Sequence, residues 1–118
     1  MLQARLEEFS GGRRATLKDN VNLNGYALDY AVVDGDQVLC AVECRTGGMR
    51  NTKREAFDLV ANLAMFTRCA ESACLLLPES AETFSDAVKE VLERWQIERV
   101  TIGIVSEGPM HKLRLNNR

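Results

Sequence analysis

The chain has 118 residues, 46% hydrophobic and 27% charged, with a formal net charge of −2. That composition describes one soluble globular domain, with room for a single hydrophobic core and not for two. The charge makes no electrostatic case for nucleic acid, so such a partner would need a local basic patch. Acids interrupt the N-terminal MLQARLEEFS where a signal peptide needs an apolar stretch, and no run is long enough to span a membrane, so a cytoplasmic protein is expected.

Leu2, Leu6 and Phe9 fall on one side of a short predicted helix, with Arg5, Glu7 and Glu8 mostly around the other sides and Gly11-Gly12 ending it. The next segment begins basic, with Arg13, Arg14 and Lys18, and ATLKDNVNLNG then alternates weakly, as an irregular edge strand would. From Gly25 onward two runs rich in Ala, Val, Leu, Tyr and Cys flank the turn signal Asp34-Gly35-Asp36, which predicts a β-hairpin. Each run carries one acid, Asp29 in the first and Glu43 in the second.

The period of two in a strand assigns these residues to faces. Ala27, Asp29, Ala31 and Val33 share a small-residue face, opposite Tyr26, Leu28, Tyr30 and Val32; Leu39, Ala41, Glu43 and Arg45 share a face in the second run. Whether Asp29 joins Glu43 depends on the turn. A three-residue loop, Asp34 to Asp36, pairs Val33 with Gln37 and sets Asp29 opposite Ala41 and diagonal to Glu43, whereas a two-residue loop pairs odd positions with even ones. In the first case two carboxylates and one guanidinium converge on small residues, an arrangement that is costly unless paired or metal-bound.

The loop Thr46 to Asn51 leads into a helix opened by a capping box, Thr52 to Glu55. Ala56, Phe57, Val60, Leu63, Ala64 and Thr67 form its expected buried stripe, with Leu59 and Phe66 on a second side. Ala73 to Leu77 is a short apolar strand stopped by Pro78. Ser80 is then expected to cap a helix whose Phe84, Val88, Val91, Leu92 and Trp95 form a core stripe. Val100 to Val105 is apolar on both faces and reads as an interior strand, and the basic end MHKLRLNNR as a frayed tail, an edge strand or an arm.

The four cysteines do not suggest a disulfide or zinc site. Cys40 and Cys44 on one strand lie about 13 Å apart at a rise of roughly 3.3 Å per residue. Bridging requires Cα atoms within about 7 Å. Cys69 and Cys74 lack knuckle spacing, so all four are expected to be reduced thiols. The single histidine, His111, lies in the tail and leaves no base for a Ser or Cys nucleophile. A phosphate loop over Gly47 to Lys53 would need glycine at the position of Thr52.

The predicted class is α/β, a mixed central sheet flanked by helices in the order αβββαβαβ, as a single domain over residues 1–118. Over Leu2 to Leu77 the chain resembles the PD-(D/E)XK, or restriction-endonuclease-like, nuclease superfamily, whose common core runs αβββαβ. Asp29 corresponds to that family's first acid, Glu43 to its second, and Cys44-Arg45 to the rest of its (D/E)-X-K tripeptide, with Arg45 in place of the motif lysine. VLCAVECRT is similar to the hydrophobic strand ending in E-X-K of the Holliday-junction resolvases, and Glu7 or Glu8 to a helix acid that some members add. Some relatives carry their lysine on the following helix, where Lys53 sits here.

The resemblance implies a metal-dependent nuclease that hydrolyses phosphodiester bonds, expected to be those of DNA. Asp29, Glu43 and the backbone carbonyl of Cys44 would hold Mg²⁺ or Mn²⁺, and the metal would lower the pKa of the attacking water. Arg45, Lys53 and Arg54 would stabilise the phosphate at the helix start, a natural anion site, with Arg50, Arg13 and Arg14 extending the nucleic-acid-binding surface. Arginine keeps the charge but does not surrender a proton, so Arg45 would act as an electrostatic clamp and not as a base. Related small nucleases often need a homodimer to cut two strands. The alternative is a catalytically inactive nuclease-like module that binds nucleic acid or protein. A third reading is a dimeric structural domain, with the 113 to 115 segment or a helix face as the interface; separately, Glu43 and Arg45 also read as a plain strand-face ion pair, worth little if exposed.

Overall fold

The computed structural model describes residues 15–45, 53–106 and 113–117. The expected N-terminal helix with Glu7 and Glu8, the pair Arg13 and Arg14, the loop carrying Arg50, the Thr52 end of the capping box, and His111 lie outside the described residues. Within them run β1 (Thr16–Leu23), β2 (Tyr26–Asp34), β3 (Gln37–Cys44), α1 (Lys53–Cys69), β4 (Ser72–Pro78), a 3-10 turn (Glu79–Ala81), α2 (Glu82–Arg94), β5 (Val100–Val105) and β6 (Leu113–Asn117). The class is α/β with a mixed sheet. Its six strands lie side by side in chain order. β2 runs antiparallel to its neighbours β1 and β3, β3, β4 and β5 are parallel, and β6 returns antiparallel along β5.

Tight turns build the antiparallel half. β1 and β2 join through Asn24-Gly25, both at positive φ (52° and 86°), the pair of left-handed conformations that Asn-Gly adopts in a type I′ turn. The Asn22 side-chain oxygen accepts the Gly25 N–H at 2.9 Å and closes it. Between β2 and β3 the loop is shorter than the three residues predicted. Asp34 pairs with Gln37, leaving Gly35-Asp36 as a two-residue turn with Gly35 at φ 61°.

That turn alone would have set odd positions against even ones. A bulge reverses the outcome. Val33 pairs with Val38 but Val32 pairs with Cys40, so Leu39 is the extra residue and the register shifts by one. Leu39 and Cys40 both enter the core cluster on the sheet face away from the helices. The Ser72 hydroxyl, from β4 on the other edge of β3, donates to the Leu39 carbonyl at 2.8 Å. Beyond it Ala31 faces Ala41 and Tyr30 faces Val42, so Ala31 takes the place predicted for Asp29 opposite Ala41, and Asp29 lies just past the last paired residues of the two strands.

The even and odd faces of the first run also exchange partway. Tyr26 and Leu28 pack on the same side as Ala31 and Val33, not opposite them. Leu17 lies in the second cluster and Val21 in the first, so β1 switches face in parallel with its neighbour, and Asn20 with φ 50° stands at the switch.

Both described helices cover one face of the sheet. Leu59, Leu63, Phe66, Val88 and Leu92 meet Ala31, Ala41, Leu75, Ile102 and Ile104 in the main core, while Val32, Cys40, Val42, Cys74 and Leu76 form a smaller cluster on the other face. β4 contributes to both, which is why its run is continuously apolar. The buried side of α1 is Ala56, Leu59, Val60, Leu63, Phe66 and Thr67. Phe57 lies off that stripe and is exposed. α2 is capped by Ala81 without a side-chain bond, because the 3-10 turn takes up Ser80, and Trp95 stands past its last turn as an exposed C-cap instead of a core residue. All four cysteines are free. No described helix is long and apolar enough to cross a membrane.

Arg99 joins the end of α1 to the start of β5. Its guanidinium donates to the Thr67 carbonyl at 2.7 Å and to the Glu71 carbonyl at 2.9 Å, capping carbonyls that the helix leaves open. Arg99→Ala is expected to lower stability by about 1–2 kcal/mol, the scale of charge-assisted bonds at a partly exposed site, measured as a shift in urea midpoint at constant slope.

Candidate functional site

The candidate site lies at the C-terminal end of β3, where the strand passes from the parallel half of the sheet toward the start of α1. Ligand sites in open α/β sheets form at that edge, because side chains leaving the strand ends meet the starts of the helices there. Glu43 points to the helix-covered face and is only 7% exposed. Asp29 is exposed and turns its Oδ2 to accept the backbone N–H of Cys44 at 2.9 Å. The two acids predicted from their spacing thus lie close together, with the amide after Glu43 holding Asp29 in place.

Arg45 follows immediately. Its backbone N–H donates to the Leu76 carbonyl at 3.0 Å, extending the parallel ladder past Cys44. Its Nε lies 3.6 Å from Glu43 Oε1, close enough for an ion pair and too far for a hydrogen bond. That nitrogen is buried without a hydrogen-bond partner, although the Arg45 side chain as a whole is 37% exposed. The guanidinium thus offsets charge at Glu43 while one of its buried donors stays unmet.

The electrostatics follow from this placement. Burial pushes the Glu43 carboxyl above its ordinary value, Arg45 opposes the shift and the Asp29 charge adds to it. Desolvation thus outweighs the one cation beside it. Tyr26 is raised by burial first and then by Glu43, which places its ring in the same neighbourhood. The Cys44 thiol is pushed up to about 11 by burial and by the two acids, so the residue inside the tripeptide stays a neutral thiol and offers its backbone to the site.

Tyr26 is a neighbour of the acids that the sequence reading did not single out. Its hydroxyl accepts the Asn62 side-chain N–H at 3.1 Å, and its ring stands edge-on to Phe66 at 5.0 Å between centroids. Glu55 and Asp58 stand near Arg45 instead. With Arg45, Leu59 and Phe84 they line a cavity of about 130 Å³. The i, i+3 spacing on α1 puts these two acids on one side of the helix, and that spacing was legible.

The remaining sequence candidates separate. Lys53 and Arg54 are exposed at the start of α1. Lys53 lines a different cavity, of about 80 Å³, with Ala56, Phe57, Ala87, Glu90, Val91 and Arg94. Among the described residues no three His, Cys, Asp or Glu side chains form a metal-holding group. The protein oxygens gathered here are two carboxylates and the neighbouring backbone.

No family model matches the sequence, and no curated protein does. Among solved structures the chain is similar to an FdxN element excision controlling factor protein from Anabaena variabilis, at 18% identity over 87% of this chain and 88% of that one, with a TM-score of 0.48. It is also similar to SfsA of Pyrococcus furiosus in complex with Ca²⁺, at 12% identity over 98% of this chain, with a TM-score of 0.45; it spans 58% of that protein.

Proposed function

We propose that this chain is a metal-dependent nuclease with a divergent PD-(D/E)XK site, hydrolysing phosphodiester bonds in DNA. The observation that carries the reading is the buried Glu43 carboxylate with Arg45 as its neighbouring cation and Asp29 held on the adjoining Cys44 amide. Two acids at such a site call for more positive charge than one ion-paired guanidinium provides.

The donor set suits a hard cation. Asp29 keeps Oδ1 after Oδ2 accepts the Cys44 amide, Glu43 offers its carboxylate, and the Cys44 carbonyl completes an all-oxygen set. Mg²⁺ needs no more than one or two carboxylates, because it retains several waters. When bound, the metal supplies charge at the phosphate and lowers the pKa of a coordinated water. The chain's own residues do the positioning. The Cys44 amide orients Asp29, and Glu43 is fixed by burial. Arg45 presents the exposed part of its guanidinium to a phosphate oxygen as a permanently charged clamp. Two phosphate-contacting cations, Lys53 and Arg54, stand at the start of α1.

The test is cleavage of labelled linear, single-stranded and four-way-junction DNA with Mg²⁺ or Mn²⁺. Wild type is expected to cut, and Asp29→Asn to cut at least about 100-fold more slowly, beyond what the loss of a residue merely supporting a ligand costs. Cutting gained only on Arg45→Lys would identify an inactive nuclease-like module. No cutting by any variant, with no Mg²⁺ binding by calorimetry, would return Asp29 and Glu43 to structural acids.

A further inference from the structure

Phe57 and Trp95 are the exposed large hydrophobic residues among those described, at 36% and 44% exposure. They are not scattered. Phe57 comes from the second turn of α1 and Trp95 from the end of α2, and their rings stack at 5.6 Å between centroids with 13° between planes. Two helices have thus brought flat apolar surfaces into one near-parallel stack at the protein surface, where each retains solvent-exposed area.

Cations border the stack. Lys53 lines the cavity beneath Phe57 together with Arg94 from α2, and Arg54 is exposed beside Lys53. Glu90 also lines that cavity and pairs with Arg94 at 3.0 Å, but both side chains are well exposed, at 64% for Arg94 and 69% for Glu90. An exposed i, i+4 pair contributes little, so Arg94 exchanges a carboxylate for a phosphate at small cost.

The size of the patch selects its occupant. With roughly 150–250 Å² per aromatic side chain, the exposed fractions leave on the order of 150 Å² of aromatic surface. A stable protein–protein contact needs about 800 Å² from each partner. A nucleic-acid base needs only a ring face for stacking and a cation for its phosphate.

We infer that the Phe57–Trp95 stack is a base-stacking platform for a single-stranded segment of nucleic acid, with Lys53 and Arg94 taking the adjacent phosphates. The inference rests on the nuclease reading for its account of what the segment belongs to, and it narrows the substrate to one with unpaired bases. Paired bases in a duplex have no free face to offer.

Trp95 is the single tryptophan of the chain, so its emission reports on the platform alone. The experiment titrates full-length protein with a twelve-residue oligothymidylate in EDTA, where no cleavage occurs, and follows tryptophan fluorescence. Quenching is expected, with affinity falling steeply as salt rises. Phe57→Ala is expected to weaken binding about tenfold by anisotropy of a labelled strand, within the range that base–aromatic stacks show. Lys53→Ala should reduce the salt slope by roughly one counterion. Circular dichroism confirms that each variant folds.

Oligothymidylate bound by anisotropy without quenching would overturn the platform, as would equal quenching by a blunt duplex. So would an emission shift that depends on protein concentration alone, since that would show a second copy covering the patch. Quenching without Mg²⁺-dependent cleavage of any DNA would leave the platform standing and sink the nuclease reading. Cleavage without quenching would do the reverse.

Discussion

Glu43→Gln is expected to raise the melting temperature at pH 7 while reducing metal-dependent cleavage at least about 100-fold, beyond the loss that removing a ligand's supporting partner causes. The two effects have one cause. Burial disfavours the charged carboxylate and Arg45 does not fully offset it, so folding raises the Glu43 pKa above its ordinary 4.5. A carboxyl that holds its proton more tightly when folded favours the native state only while it is protonated. The destabilisation therefore begins near pH 4.5, grows as pH rises through the folded pKa, and persists above it. Glutamine keeps the shape and carries no charge. Thermal melts from pH 4 to 8 should show wild type losing stability relative to the variant as pH rises, with a gain for the variant of about 1 kcal/mol at neutral pH, typical of relieving a functional-site strain.

Metal should reverse the order. At one hundred times its dissociation constant, a ligand bound only by the folded state stabilises by about 2.7 kcal/mol. Mg²⁺ is expected to raise the wild-type melting temperature and leave that of Glu43→Gln unchanged. A variant less stable than wild type at every pH would show that the Arg45 ion pair outweighs the burial of Glu43.

The largest loss of stability is expected at Phe66. Phe66→Ala should cost about 3–5 kcal/mol, as fully buried aromatic residues do when truncated. That is a large share of the roughly 5–15 kcal/mol total of an ordinary domain. Phe66 has no exposed surface, lies in the main core between α1 and the sheet, and takes the edge of Tyr26 at 5.0 Å. Its removal empties space and frees the ring that stands beside the two acids, so cleavage should fall even at temperatures where the variant is folded. Phe57→Ala, on the same helix, should cost about 1 kcal/mol, because its partly exposed ring loses the stack on Trp95 but opens no space in the main core. Urea denaturation of the two variants measures the contrast.

Much of the organisation was legible in the residues. The alternation around Asp34-Gly35 marked the hairpin, the two apolar faces of Val100 to Val105 marked an interior strand, and the spacing of Asp29 and Glu43 singled out two acids that lie close together. Each of these depends on neighbours within a few residues, where period and turn chemistry govern the chain. The Asn24-Gly25 turn was equally local and was passed over, although Asn-Gly is the strongest short hairpin signal.

Other features depended on contacts between distant parts of the chain. Hairpin register followed from a bulge at Leu39, whose carbonyl is satisfied by Ser72 from another strand, and no pattern within the hairpin encodes that partner. Phe57 and Trp95 read as core because helical period cannot say where a neighbouring helix ends; only the crossing of α1 and α2 leaves both rings outside and stacked. Arg45 read as a motif variant, and tertiary burial decided that its Nε would lie beside Glu43 without a hydrogen bond. Local chemistry thus determined which residue types reach the strand ends and helix starts. Burial, register and the unmet demand for charge arose only when the sheet and helices packed, because desolvation is a property of the assembled surroundings and not of any segment.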